Sequence, residues 1–383
     1  MGRKPPSRGG GDKRRVDFRP NRQRPGRRKQ WHPPAEHDTR HDQVTPFSES
    51  VQARGDLSRK RTIIEQGGDV PDDSLAEGIA VAVRGQFVDV DDGQCVWPCT
   101  VRRILRTMSI RNRHPVVAGD RVWFAVVADS QGQLKEGVIV RVAPRRTSLT
   151  RSDGRKTHVI AANVDQALIV SSIREPVLKP HLIDRYLVAC HAGNLTAIIC
   201  VNKCDLDAEG EANEIVDRYR RLGYAAVATS AATGHGLQEM RALLAGKATL
   251  LAGQSGVGKS SLVNAIQPSL NLPTAAVSAT TEKGRHTTTT AVWLKLDIGG
   301  AVIDTPGIRA LDVAMIPLNE LETHFVEFVD RLQHCRFPNC VHIHEEGCAI
   351  QEAVDAGAVD PSRYDSYVEL FYELSETRKS RYE

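Results

Sequence analysis

The run Gly253-Gln254-Ser255-Gly256-Val257-Gly258-Lys259-Ser260 constrains the fold more than any other part of the chain. The apolar segment ATLLA leads into it, and the helix-like SLVNAI, starting at Ser261, leads out. Strand, glycine loop and helix in that order form a phosphate cradle within an α/β domain. With few β-carbons in the loop, successive backbone N–H groups can turn toward phosphates at a helix N-terminus. Lys259 can then reach the β and γ oxygens and Ser260 can ligate magnesium, with Ser261 beside it in the nucleotide-binding set.

A second element concerns the base. Asn202-Lys203-Cys204-Asp205 ends the apolar run TAIICV. A carboxylate only accepts hydrogen bonds, so Asp205 can take two from the N1–H and exocyclic amine of guanine, a donor pair adenine lacks. The element therefore selects GTP over ATP. Thr229-Ser230-Ala231, after the strand-like YAAVA, can offer a backbone N–H to the guanine O6. Asp304-Thr305-Pro306-Gly307 follows AVI and fits a loop in which Asp304 holds magnesium through water and the Gly307 amide senses the γ-phosphate. Between the two phosphate motifs lies Lys283-Gly284-Arg285-His286-Thr287-Thr288-Thr289, where Thr288 is expected to ligate magnesium when the γ-phosphate is present. Guanine motifs that precede the phosphate loop, which precedes the switches, predict a circularly permuted P-loop GTPase domain. The segment after Gly307 is then attached to the element that responds to hydrolysis.

Length and charge bound the remainder. At 383 residues the chain exceeds one hydrophobic core, so two or three domains are expected. No apolar run approaches the roughly 18 to 20 residues of a membrane span. The start, MGRKPPSRGGGDKRR, has no apolar stretch after its charges, which implies no secretory signal and a cytoplasmic, reducing compartment. Of 51 Lys and Arg and 47 Asp and Glu, the first 31 residues hold 12 and 2, so this arm is +10 and the rest −6. Residues 1–72 are read as a basic, largely disordered extension. Its arginines, Arg14, Arg15, Arg19 and Arg22 among them, can track an RNA or DNA backbone. A solubilising tail is the other reading. Residues 73–147 alternate apolar and polar positions in GIAVAVRGQFVDV, QCVWPCTVR, DRVWFAVVA and EGVIVRVAP, which predicts an OB-type β-barrel. Residues 148–312 are assigned to the GTPase domain.

Residues 313–383 are read as a zinc-binding helical and loop domain. After the amphipathic NELETHFVEFVDRLQ, the spacing Cys335-x4-Cys340-x-His342-x5-Cys348 gathers three thiols and an imidazole and fits a structural Cys3His zinc site, with His344 and His334 as further candidates. The other cysteines, Cys95, Cys99, Cys190, Cys200 and Cys204, read as small core residues. RYDSYVELFYELSE predicts a final helix packed on the protein.

From about residue 75 to 383 the chain resembles the RsgA/YjeQ family, circularly permuted GTPases of bacterial small ribosomal subunit biogenesis. The resemblance rests on NKCD, TSA, GQSGVGKS, KGRHTTT and DTPG in that order, followed by CRFPNCVHIHEEGC. It implies an OB barrel, a central GTPase and a zinc domain that bind the maturing small (30S) subunit and its rRNA. It also implies GTP hydrolysis to GDP that the subunit stimulates, and zinc ligands Cys335, Cys340, His342 and Cys348, leaving His344 outside the set. Ile308 stands where many GTPases carry a water-orienting Gln, so His286 is assigned that catalytic task beside Lys259. A monomer is expected, since no spare apolar seam is present. Competing readings are a metabolic P-loop enzyme, a nucleic-acid binder that holds nucleotide only structurally, and an RNA-binding nucleotide switch outside ribosome assembly.

Overall fold

The computed structural model describes residues 13–17, 48–53, 60–66, 74–102, 105, 115–128, 134–152, 157–274, 291–304, 313 and 316–382; His286, Thr288 and Gly307 lie outside them. The chain divides into two compact units, Met1–Pro144 and Arg145–Glu383.

In the first unit, β1 (Lys13–Asp17), β2 (Ser48–Ala53) and β3 (Lys60–Gln66) form an antiparallel sheet in the order β1-β3-β2. Of the extension read as residues 1–72, these three strands are the part that lies among the described residues. The central strand carries Thr62-Ile63-Ile64, β-branched residues that favour a pleated backbone, and a charge count over the whole arm hides so short a run.

The barrel matches its prediction. Strands β4 (Ala76–Arg84), β5 (Phe87–Asp91), β6 (Val96–Val101), β7 (Arg121–Ala128) and β8 (Leu134–Val142) join in the order β4-β5-β6-β8-β7, and β7 pairs back to β4 to close the ring. All neighbours are antiparallel except β6 and β8. Alternate residues point inward, so Val88, Val90, Cys99, Val122, Phe124 and Ile139 fill the interior. The wall is thin at Gly137, where a β-carbon would stand 2.5 Å from Cys99 Sγ and 2.9 Å from Phe124 Cδ2. Cys95 departs from the core role read for it: it is exposed in the β5–β6 turn, where its amide donates to Asp92 Oδ1 (2.8 Å).

The second unit opens with a hairpin of β9 (Ser148–Ser152) and β10 (Thr157–Ala162). It continues through β11 (Gln166–Ser172), α1 (Pro180–Ala192), β12 (Thr196–Asn202), α2 (Glu211–Arg221), β13 (Ala225–Ala228), α3 (Leu237–Leu244), β14 (Ala248–Ala252), α4 (Lys259–Ile266), β15 (Val292–Lys295) and β16 (Ala301–Asp304). These strands run in the order β13-β12-β11-β14-β16-β15, parallel throughout except for the antiparallel β15. Near-continuous apolar strands are what burial on both faces requires. One face packs Leu168, Val170, Ile198, Cys200 and Val302 against Met240 and Leu244 of α3 and Leu262, Val263 and Ile266 of α4. Helices α1 and α2 pack on the sheet as well, through β11, β12 and β13. Cys99, Cys190 and Cys200 are buried as read, and burial pushes each thiol up to about 12.

The C-terminal segment is less regular than its sequence suggests. The stretch read as amphipathic breaks into a 3-10 helix Leu318–His324, the single turn α5 (Val326–Val329) and a 3-10 turn Leu332–His334. The break lets Phe325 and Phe328 stack at 5.1 Å, each also against Tyr367, at 5.4 and 5.2 Å. Helix α6 (Ala349–Asp355) follows, and α7 (Pro361–Tyr382) packs on α1 with Tyr367, Leu370 and Leu374 buried, as the final helical pattern predicts.

Beneath α7 lies a buried polar network. Arg363 (1% exposed) donates to Asp184 Oδ1 of α1 (2.7 Å) and, through Nε and Nη2, to both Glu327 oxygens (2.7 and 3.0 Å). Tyr219 of α2 and Ser366 of α7 donate to the two oxygens of the same Asp184 (2.8 and 2.6 Å).

Candidate nucleotide site and metal centre

Because β11, β12, β13, β14 and β16 run parallel, their last residues, Ser172, Asn202, Ala228, Ala252 and Asp304, fall along one edge of the sheet. The chain runs outward from β11 through β12 to β13, then returns to the far side of β11 for β14. That reversal opens a crevice at the carboxyl ends of β11 and β14, the place where open α/β sheets take ligands. The glycine loop 253–258 leaves β14 at this point and ends in α4, whose first amides have no intrahelical acceptor.

The loop is tied to its surroundings residue by residue. Asn202, 1% exposed, donates from Nδ2 to the Val257 carbonyl (2.9 Å) and accepts at Oδ1 from Thr229 Oγ1 (3.1 Å). Gly258 at φ +91° leaves no room for more: a β-carbon would stand 2.5 Å from Asn202 Nδ2. The Gly253 amide donates to the phenol oxygen of buried Tyr186 on α1, a support that sequence reasoning missed because no local pattern links the two. Lys259 Nζ donates to the Gly253 and Gln254 carbonyls (2.9 and 2.7 Å), while burial lowers its pKa and the Asp304 carboxylate pulls it back up. Ser255, Gly256 and Ser261 are exposed, Gln254 and Ser260 half-buried, and Val257 buried beneath the loop.

The two base-reading segments are joined to each other. The Cys204 amide donates to the Thr229 carbonyl (3.1 Å) and the Thr229 amide to Val201 (2.9 Å). Lys203 adopts φ +60° and leads into a short 3-10 turn that presents Asp205 to solvent. The Ser230 amide is engaged by the His235 carbonyl (3.1 Å), and Ser230 Oγ accepts from the Thr233 amide (3.1 Å), so of the pair Ser230 and Ala231 the second is the better placed to offer its N–H. A turn after β11, closing through a cis Glu175–Pro176 peptide, stands beside the loop and was not visible in the sequence as part of the site.

The four metal candidates come together. The ligand atoms of Cys335, Cys340, His342 and Cys348 all lie within 4.8 Å of one another. His342 Nδ1 is 3.5 Å from Cys335 Sγ and 3.4 Å from Cys348 Sγ. A tetrahedral ion with sulfur at about 2.3 Å and nitrogen at about 2.0 to 2.1 Å separates those atoms by roughly 3.5 Å, so the donor set fits zinc. His342 stands at φ +59° with Nε2 3.1 Å from Glu322 Oε2, the kind of outer contact that fixes a ligating imidazole. Glu345 closes the ligand loop by accepting the Val341, Ile343 and His344 amides (2.8, 3.1 and 3.2 Å). His334 and His344 are exposed and stand outside the four.

No helix among the described residues is long and apolar enough to cross a membrane. The RsgA GTPase family model matches residues 142–314. A small ribosomal subunit biogenesis GTPase RsgA from Caldanaerobacter subterraneus subsp. tengcongensis is 42% identical over 248 residues, covering 65% of this chain and 81% of the relative. Crystal structures of YjeQ from Thermotoga maritima (TM-score 0.62, 35% identity, 78% of this chain and 98% of that one) and of YloQ, a circularly permuted GTPase (TM-score 0.59, 31% identity, 79% and 96%), share the fold. With its guanine strands ahead of its phosphate loop and these likenesses across both units, the chain belongs to the RsgA family of circularly permuted GTPases.

Proposed function

We propose that this GTPase binds the small ribosomal subunit and assists its late maturation, with GTP cleavage stimulated by the subunit and coupled to release. The observation that carries the nucleotide part is the convergence of β12, β13 and β14 at one sheet edge, with Asn202 bridging the base-reading and phosphate-holding segments. In this reading Asp205 and the Ala231 amide read guanine, and Lys259 leaves its loop carbonyls for the β and γ oxygens. Ser260 and Thr288 ligate magnesium, and Asp304 holds it through water. When bound, the ion neutralises charge on the phosphates. Gly307 senses the γ-phosphate, and His286 orients the attacking water that Ile308 cannot. Zinc in the Cys3His set is structural. The +10 arm and the barrel supply RNA contacts in the cytoplasm, and the protein acts as a monomer. The small-subunit assignment is supported by what the relatives are named for.

GTP turnover measured with and without isolated small subunits tests the reading. Wild-type protein is expected to turn over faster with subunits, and His286→Ala is expected to keep GTP affinity and lose the stimulation. Turnover indifferent to subunits overturns the ribosomal assignment, and stimulated His286→Ala overturns the role of that residue.

A further inference from the structure

We infer that the turn spanning residues 173–178 is a clamp that sets how long a guanine nucleotide stays bound, acting by anchoring Lys203 across the mouth of the phosphate loop; this rests on the nucleotide reading above. The turn follows β11, one of the two strands that bound the crevice, and it is closed by specific bonds. Buried Ser172 donates from Oγ to the Pro176 carbonyl (2.8 Å), the Leu178 amide donates to Ile173 (3.4 Å), and the Ile173 amide donates to Asn202 (3.1 Å). Arg174 braces the outer shoulder on Glu211 (2.8 Å).

Two features aim this turn at the loop. Lys203 Nζ donates to the Glu175 carbonyl, and both residues hold left-handed backbones, at φ +60° and +55°. Such conformations persist in side-chain-bearing residues only where the surroundings over-determine them, and they gather at ligand clamps. On the way to Glu175 the lysine stem passes the loop, its Cε 3.9 Å from where a Gly258 β-carbon would stand. Pro176 Cδ lies 3.7 Å from the equivalent point on Gly256. Turn, lysine and loop therefore close on the same crevice from one side. Freeing the Pro176 carbonyl loosens the turn, then the lysine, and widens the exit, which acts on dissociation more than on association.

Release of a fluorescent GDP analogue from the full chain, chased with excess GDP, tests the clamp. Ser172→Ala removes one hydrogen bond, Pro176→Gly relaxes the turn, and Lys203→Met keeps the stem without the ammonium. Ser172→Ala is expected to speed release on the order of threefold to tenfold, the worth of one hydrogen bond. In the Lys203→Met background it is expected to add less than about twofold, because both changes act through the same anchoring of Lys203 on the turn. An equal effect of Ser172→Ala in both backgrounds overturns the clamp, as do wild-type release rates from Ser172→Ala and Pro176→Gly proteins that melt normally. A wild-type chain that holds no GDP analogue overturns the nucleotide reading instead, so the two failures are distinct.

Discussion

Asn202 shows how much one side chain can fix. Its amide uses a donor toward Val257 and an acceptor toward Thr229, so neither a carboxylate nor an isosteric apolar group can replace it. Asn202→Ala takes the side-chain donor from the Val257 carbonyl and leaves the Thr229 hydroxyl only its contact with Cys200 Sγ (3.1 Å), a loss of about 1–3 kcal/mol. Urea unfolding is expected to give a correspondingly lower midpoint, and titration with GDP a weaker affinity. Unchanged stability and affinity in the Ala variant would show that the loop is positioned by other contacts. At this scale the sequence was readable where chemistry is local. The glycine loop, the NKCD element and the four metal candidates announce themselves by spacing, and the structure brings each set together. Cys95 was misread because composition cannot tell a cysteine in a turn from one in a core.

Among elements, the join between α1 and α7 is held by charge inside a nonpolar layer. Burial alone would lower the Arg363 pKa, but Asp184 and Glu327 more than offset it, so the guanidinium stays charged. Arg363→Met strands two carboxylates and is expected to cost about 3–5 kcal/mol in denaturant unfolding. Adding Asp184→Ala to that variant should return part of the loss, since one stranded charge is then gone. If Arg363→Met is as stable as wild type, the network is not holding the two helices. None of this was visible beforehand: partners 179 and 36 positions apart leave no periodic trace. The same holds for Phe325, where stacking on Phe328 and an edge-on contact with Tyr367 override the helical propensity of NELETHFVEFVDRLQ. Barrel and sheet were legible because alternation and continuous apolar runs are written along each strand.

At the scale of the whole molecule, the net positive charge belongs to the first 31 residues of the sequence, while the nucleotide and metal candidates lie in the second unit. The cysteine and histidine set closes a loop too short to bury a core alone, although the aromatic cluster of Phe325, Phe328 and Tyr367 gives it one to lean on. Chelation of zinc is expected to lower the melting temperature and reduce the near-ultraviolet circular dichroism of that cluster, with zinc restoring both. A chelated chain indistinguishable from the untreated one would show that the four side chains hold no structural ion. The long separation of Asp184 from Arg363 also has a consequence in time. Translation moves at about 5–20 residues per second, so the later partner leaves the exit tunnel many seconds after the earlier one. A nascent chain already equipped with its glycine loop must wait, a carboxylate uncovered on its first helix, until the final helix arrives. A message cut short just before that helix would yield a product unfinished at its centre.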